Sequence, residues 1–318
     1  METNFTSENR LKLRFVKDYN LPINVFREDL FNYYMNLYDF FPKDTFEKLK
    51  DKIQVLYNGN VEMWLDDCAK VRDKAIFGIM YSDAYQKFNN GSLDIFKVKQ
   101  PCPTQNCYTQ VTDGKRFISI DLRKGNFQAL KYVGVLEDNT YEDFIKRNDG
   151  DDYIANSKYL RQVIFGKLNP SRQIAVEKYL INTVYALINE YMEEKGLKLF
   201  SFNNDELIYE VPIDYFSLSM FKDVKEYIET ITKDNRIDVK VEYIKVTRLP
   251  IVSSNGTTIE AYERHNLENG ESVLKKASTT FFPQIYKLWK NLPIEDNDLY
   301  FFAENQLAKF VEPLRMEL

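Results

Sequence analysis

The chain has 318 residues, 44% hydrophobic and 29% charged, an ordinary globular composition long enough for one large domain or two. Its net charge of −5 gives no global basic signature for nucleic acid, so any such binding has to rest on a local basic groove. No apolar run approaches the roughly 18 residues that span a bilayer, and the polar start Met1-Glu2-Thr3-Asn4 does not read as a signal peptide, so an intracellular, cytoplasmic setting with no membrane partner is expected.

Three cysteines, Cys68, Cys102 and Cys107, form no dense framework and read as unpaired thiols in a reducing compartment. No Cys/His pair completes a zinc site around Cys102 and Cys107. The single histidine, His265, lies in the polar run Tyr262-Glu263-Arg264-His265-Asn266. It excludes a His-rich metal centre, has no nucleophile-elbow pattern beside it, and reads as a surface residue.

Residues 1–20 are polar and are expected to be poorly ordered at the start. From Asn24 to about Asn90 the pattern is helical. Phe26, Leu30, Tyr33-Tyr34, Leu37 and Phe40-Phe41 recur at three- and four-residue steps, and Pro42-Lys43-Asp44 ends that run. Phe46, Leu49, Ile53 and Leu56 start a second helix, and Val61 to Phe88 carries a third, long pattern. Gly91, Pro101 and Pro103 mark a loop-rich link, which separates a mainly helical accessory region, 1–100, from the rest of the chain.

Phe117-Ile118-Ser119-Ile120-Asp121-Leu122 reads as a short apolar strand ending at an acid, followed by a helix start at Phe127. Asp138 to Ile145 is a short acidic helix or loop, and a helical pattern runs from Ser157 to about Phe165. A better punctuated helix has Asn169 as N-cap, Pro170 at its first position and Gly196 as its C-terminal stop. Leu199 to Val211 then reads as a β-hairpin, with strands 199–202 and 207–211 around an Asn203-Asn204 turn and Asp205-Glu206 at the bend. A helix over 216–232 and an alternating strand over 238–247 complete an α+β unit, 101–248, with helices on one face of an antiparallel sheet. In a C-terminal mixed extension, 249–318, Asn255-Gly256 signals a hairpin turn, and helices are expected around 281–291 and 301–311.

Two acidic strand ends in one α+β unit suit a two-metal phosphoryl-transfer site, in which Mg²⁺ (or Mn²⁺) takes one or two carboxylates plus substrate phosphates. Asp121 and Asp205 are the candidate ligands, with Glu206 assisting. Cations for a triphosphate are at hand: Lys158, Arg161, Lys167, Arg172 and Lys178 fall between the two acids, and Lys115, Arg116, Arg123 and Lys124 flank the first. Each piece has an ordinary structural alternative: an Asp at a strand end is also a turn residue or helix cap, and Lys/Arg on helices also form solvated faces.

Asn204-Asp205-Glu206-Leu207-Ile208-Tyr209-Glu210-Val211 resembles the His-Asp-Glu-Leu-Val-Phe-Glu-Val hairpin of family A, Pol I-like, DNA polymerases. Ser119-Ile120-Asp121-Leu122 looks like that family's first catalytic strand, and Arg161-Gln162-Val163-Ile164-Phe165-Gly166 is similar to its Lys-x-x-x-Phe-Gly fingers helix. The resemblance covers about residues 115–232 and implies a palm-like catalytic domain. It implies Asp121, Leu122 and Asp205 as metal-binding positions and Asp121, Asp205 and Glu206 as catalytic residues. Arg161, Lys124, Asn126, Arg172, Lys158 and Asn204 would bind substrate, with Asn126 in place of a sugar-gating glutamate. The implied partners are nucleoside triphosphates and nucleic acid, with DNA favoured over RNA and both left open. Asn204 replaces the family's histidine, Ser157 stands where a phosphate-binding arginine is usual, and the interval from Arg161 to Asp205 is shorter than in the family.

Three readings are open: a palm-type, template-dependent nucleotidyltransferase; a catalytically inactive palm-like nucleic-acid-binding or protein-interaction module; and an unrelated α+β protein with a chance hairpin match. The first requires Asp121 and Asp205 to be neighbours in space.

Overall fold

The computed structural model describes residues 6–23, 27–212, 214–303 and 306–317. Asn24 and Phe26, expected in a helical pattern, lie outside the described residues. The chain runs through α1 (Ser7–Asp18), α2 (Glu28–Leu37), α3 (Lys43–Leu56), α4 (Val61–Met80) and α5 (Asp83–Asn90) before its first strand, β1 (Arg116–Leu122). Then come α6 (Gly125–Tyr132), α7 (Tyr141–Arg147), α8 (Asp152–Asn156), α9 (Lys158–Lys167) and α10 (Pro170–Glu194). The hairpin β2 (Lys198–Phe202) and β3 (Glu206–Val211) precedes α11 (Leu218–Asp234) and the long strand β4 (Val239–Arg248). The C-terminal part holds β5 (Ile251–Val252), β6 (Thr258–Ile259), β7 (Tyr262–Asn266), β8 (Ser272–Lys275), α12 (Phe282–Trp289), β9 (Tyr300–Ala303), β10 (Gln306–Lys309) and β11 (Arg315–Met316).

This is the expected α+β class with a mainly helical N-terminal region. The main sheet has the order β2-β3-β1-β4-β7-β8, every pair antiparallel. Successive side chains alternate between its faces. On one face Ile118, Ile120 and Leu122, Leu207, Tyr209 and Val211, and Val239, Val241 and Tyr243 join one continuous core. That core includes Val176, Leu180 and Val184 of α10, Phe221, Val224 and Ile228 of α11, and residues of the N-terminal helices from Leu11 to Phe88. The opposite face keeps a much smaller apolar cluster, Phe117, Ile208, Ile244, Val246 and Tyr262, topped by Cys107 from the loop before β1. Helices therefore cover one face only.

Several expectations change. Residues 7–18 form a helix instead of a poorly ordered start, because Leu11, Phe15 and Val16 fall on one buried side and the Thr6 hydroxyl accepts the Asn9 N–H. The long pattern over 61–88 divides at Ser82, whose hydroxyl caps α5 by accepting the Tyr85 N–H. The expected helix over 301–311 is instead the β9–β10 pair, with Phe301 stacked on Phe310 at 4.2 Å. Its run of Tyr300, Phe301 and Phe302 favours a pleated surface. His265 is half-buried within β7, its Nδ1 2.8 Å from the Ser272 hydroxyl, rather than a free surface residue.

Among the described residues no helix is long and apolar enough to cross a membrane.

Candidate active site

β1 is a central strand, and its last residues carry the chemistry. Its register pairs Asp121 with Glu206 of β3 on one side and with Lys240 of β4 on the other. The same alternation places Ser119, Asp121, Glu206, Lys240 and Glu242 on the face that the helices leave open. The β2–β3 turn closes tightly: the Asn203 N–H donates to the Glu206 carbonyl (2.8 Å), and the Asn203 side chain accepts the Asn204 N–H (2.8 Å). Asn204 and Asp205 are thus the two residues at the tip, one position further on than the Asn203-Asn204 turn expected. The Leu122 N–H donates to the Asp205 carbonyl at 2.8 Å, which ties that tip to the end of β1. Asp121, Leu122, Asp205 and Glu206 are brought together, with Asn204 exposed beside them.

Leading from β1 into α6, Lys124 has left-handed backbone geometry, φ 51°. A residue with a Cβ adopts this at some cost, so the turn has to be held. Gln128 holds it: its amide nitrogen donates to the carbonyls of Arg123 and Asp238 (both 2.6 Å), and its oxygen accepts the Asp238 N–H (2.8 Å). Asn126 comes next but one, half-buried, its side-chain oxygen taken by the Phe127 N–H.

The acids are crowded. Burial, then the charges of Asp205 and Glu206, push the Asp121 carboxyl up to about 7, against the pull of Arg264 and Lys240. Burial also raises Asp205. Glu206 is raised by burial too, but the Ser119 hydroxyl donates to it at 2.5 Å and Arg264 offsets part of the effect. Glu206 is therefore partly committed to its own strand pair, whereas Asp121 accepts no hydrogen bond and makes no ion pair among the described residues.

A fourth carboxylate joins them. Glu177 of α10 lies against the backbone of Gly125, where an added Cβ would stand 3.4 Å from its Oε1. Burial and then the charge of Asp205 push it to about 7. It was missed in the sequence although a signal existed. Its neighbours three and four positions away are Gln173, Ile174, Leu180 and Ile181, so it stands amid mostly apolar residues with no basic partner on its helix face. Arg264 of β7 and Lys275 of β8, from outside the resemblance, were missed as well.

The expected cations divide. Lys124 and Arg161 line one cavity of about 1280 Å³ together with Asp121. Lys124 pairs with Glu142, and Arg161 lies 5.9 Å from the centre of the Tyr141 ring. Lys131, Arg236 and Lys240 also line this cavity, so a chain that is acidic overall carries a cleft in which cations outnumber acids. Lys158 is exposed at the first position of α9, and its charge bears on Lys275. Arg172 is not part of the arrangement. It donates to the Gly91 carbonyl (2.6 Å) and lies over the Phe88 ring, because the first turn of α10 packs on the N-terminal helices. Ser157 caps α9 and donates to buried Asp18, a structural position with no opening for phosphate.

Among the described residues no three Asp, Glu, His or Cys side chains already converge as a metal cage. The donor set is all oxygen, buried and under-neutralised, which fits a hard divalent cation that brings its own waters and substrate oxygens. Leu122 has a buried side chain without a donor, so only its backbone oxygen is available for such a role. Compared with known proteins, the chain matches no family model, no curated protein and no solved structure.

Proposed function

We propose that this protein is a palm-type, template-dependent nucleotidyltransferase, acting on nucleoside triphosphates and a nucleic-acid 3′-hydroxyl, with DNA the favoured strand. One observation carries the reading: Asp121 and the Asp205-Glu206 tip meet at adjacent strand ends on the open sheet face, beside a cation-lined cleft. Asp121 and Asp205 would hold Mg²⁺ or Mn²⁺, with the Leu122 carbonyl as a further oxygen and the Asp205 charge bearing on Glu177. Such a cation, when bound, supplies charge neutralisation at the phosphoryl oxygens and polarises the attacking hydroxyl.

In the reaction the 3′-oxygen forms a bond to the α-phosphorus, the bond from that phosphorus to the bridging oxygen breaks, and pyrophosphate leaves with the hydroxyl proton released. The chain's own part is positioning and electrostatics. Lys124 and Arg161 present positive charge to the phosphates from the cleft wall that also holds Asp121. Asn126, one residue past the α6 entry, would take the sugar-gating role, and exposed Asn204 borders the strand end.

Extension of a labelled primer–template with dNTPs or NTPs, wild type against Asp205→Ala and Asp121→Ala, tests the reading. Incorporation should fall by about 10³-fold or more in both variants. Incorporation that survives Asp205→Ala removes the residue assignment. The second reading, a non-catalytic nucleic-acid-binding module, draws on the Lys124–Glu142 pair, which occupies one cation the reaction needs. Strand binding by wild type without incorporation on any template would select it.

A further inference from the structure

The open face continues past β4 onto the β7–β8 hairpin, beyond the stretch that resembles a polymerase. Register carries the alternation across: Val246 pairs with Arg264, Arg264 with Val273, and Tyr262 with Lys275. Arg264 and Lys275 are therefore diagonal neighbours on the face that bears Asp121 and Glu206. Neither lines the Lys124–Arg161 cavity, and neither does Lys158.

The charges here do not balance. Glu242 is claimed twice, by Arg264 Nη2 at 2.9 Å and by Lys240 Nζ at 3.0 Å. Glu206 already accepts from Ser119. Lys275 is half-buried and makes no ion pair among the described residues. Lys158, exposed in the first turn of α9, adds a like charge to it, and the positive end of the helix dipole there disfavours a cation. Burial lowers the pKa of the Lys275 ammonium, and Arg264 and Lys158 lower it further, against the pull of Glu206 and Glu242. Like charges thus gather at a half-buried place where the nearby carboxylates, Glu206 and Glu242, are already engaged by other partners. An arriving anion removes that repulsion.

We infer that Lys275 and Lys158, with Arg264 beside them, form a phosphate-binding subsite on the β4–β7–β8 side of the acidic strand ends. Its ligand is a phosphate group, borne either by the backbone of a bound strand or by a nucleoside triphosphate. Lysines suit this role as mobile point charges, while Arg264 is held by Glu242 and fixes the local field. The subsite depends on the proposed function only for the source of that phosphate.

The test is fluorescence anisotropy with a 5′-labelled single-stranded oligonucleotide and with a labelled primer–template, plus titration of dATP with Mg²⁺. Wild type, Lys275→Gln, Lys275→Arg and the double variant Lys158→Gln/Lys275→Gln are compared over a range of salt. Lys275→Gln should weaken phosphate-ligand binding about 5- to 10-fold at low salt and reduce the salt slope by about 1, with Lys275→Arg restoring most of both. Its apo melting temperature should hold or rise, since a repelling charge is removed. A loss confined to the oligonucleotides assigns the backbone phosphate, and one confined to dATP assigns the triphosphate. Unchanged affinity for every ligand in the folded double variant overturns the subsite. Asp205→Ala keeps the two ideas apart. If incorporation survives it while Lys275→Gln weakens binding, the subsite stands and the nucleotidyltransferase reading falls; the converse pair of results does the reverse.

Discussion

Two buried acidic places in this molecule are built in opposite ways. Asp18, fully buried at the end of α1, accepts from Arg14 Nε on both oxygens (2.9 Å each), from the Tyr153 hydroxyl (2.9 Å) and from the Ser157 hydroxyl (2.5 Å). It ties α1 to the start of α9, and its hydrogen-bonding capacity is filled. Asp121 and Glu177 are also largely removed from water, yet neither accepts a hydrogen bond among the described residues, and both are pushed to about 7. A carboxylate whose lone pairs are filled holds a fold together; one left short of partners stores unfavourable energy that a ligand can release. The largest test of the contrast is Asp18→Ala. Losing this acceptor leaves Arg14 buried without its counter-charge and should cost about 3–5 kcal/mol in urea unfolding. A loss below about 1 kcal/mol would mean that Asp18 is no structural anchor.

Asp121→Asn should move stability the other way. In the unfolded chain this carboxyl titrates near the ordinary value of about 4, and in the folded chain near 7. The folded state therefore holds the proton longer, and its advantage is complete below pH 4 and lost as pH rises through 7. The asparagine has no proton to lose, so the gain of the variant over wild type should be small at pH 4, grow through pH 5–7 and level off at about 1–2 kcal/mol by pH 8. Equal stability of the two at pH 8 would break the contrast from this side. A divalent cation offers a third, smaller test in unmodified protein. Mg²⁺ or Mn²⁺ at tenfold over its Kd should add about 1.4 kcal/mol at pH 8, less at pH 5, and almost nothing in Asp121→Asn/Asp205→Asn. A cation response that persists in the double variant would place the ion elsewhere.

The sequence carried the two acidic strand ends plainly, because period-two alternation in Phe117–Leu122 and Leu207–Val211 survives without tertiary context. It could not carry the register. That Asp121 faces Glu206 and Lys240, and that Arg264 and Lys275 share their face, comes from strand pairing between segments distant in the chain. Asn269-Gly270, with Gly270 at φ 75°, is a readable turn signal for the β7–β8 hairpin. Arg172 went wrong for a related reason: a cation in the first turn of α10 looks available in the sequence, but packing assigns it to the Gly91 carbonyl. The tail helix over 301–311 failed because a short aromatic run is ambiguous between periods until a partner strand is known.

The smallest effect bears most directly on Glu177. Gly125 opens α6 with ordinary backbone geometry, since its φ is not among the positive ones, so alanine there should gain stability by narrowing the unfolded ensemble, about 0.5 kcal/mol. The new methyl, however, would stand 3.4 Å from both Cδ and Oε1 of Glu177, on the side from which the carboxylate is already short of solvent. Further desolvation penalises only the charged form. The gain should therefore be full at pH 5, where Glu177 is protonated, and shrink or vanish at pH 8, where it is charged. Chemical unfolding of Gly125→Ala at both pH values reads this out, with Gly125→Ala/Glu177→Gln as the control in which the pH dependence disappears. A gain that is the same at both pH values would detach Glu177 from the α6 entry, and with it the claim that four carboxylates, not three, share the end of β1.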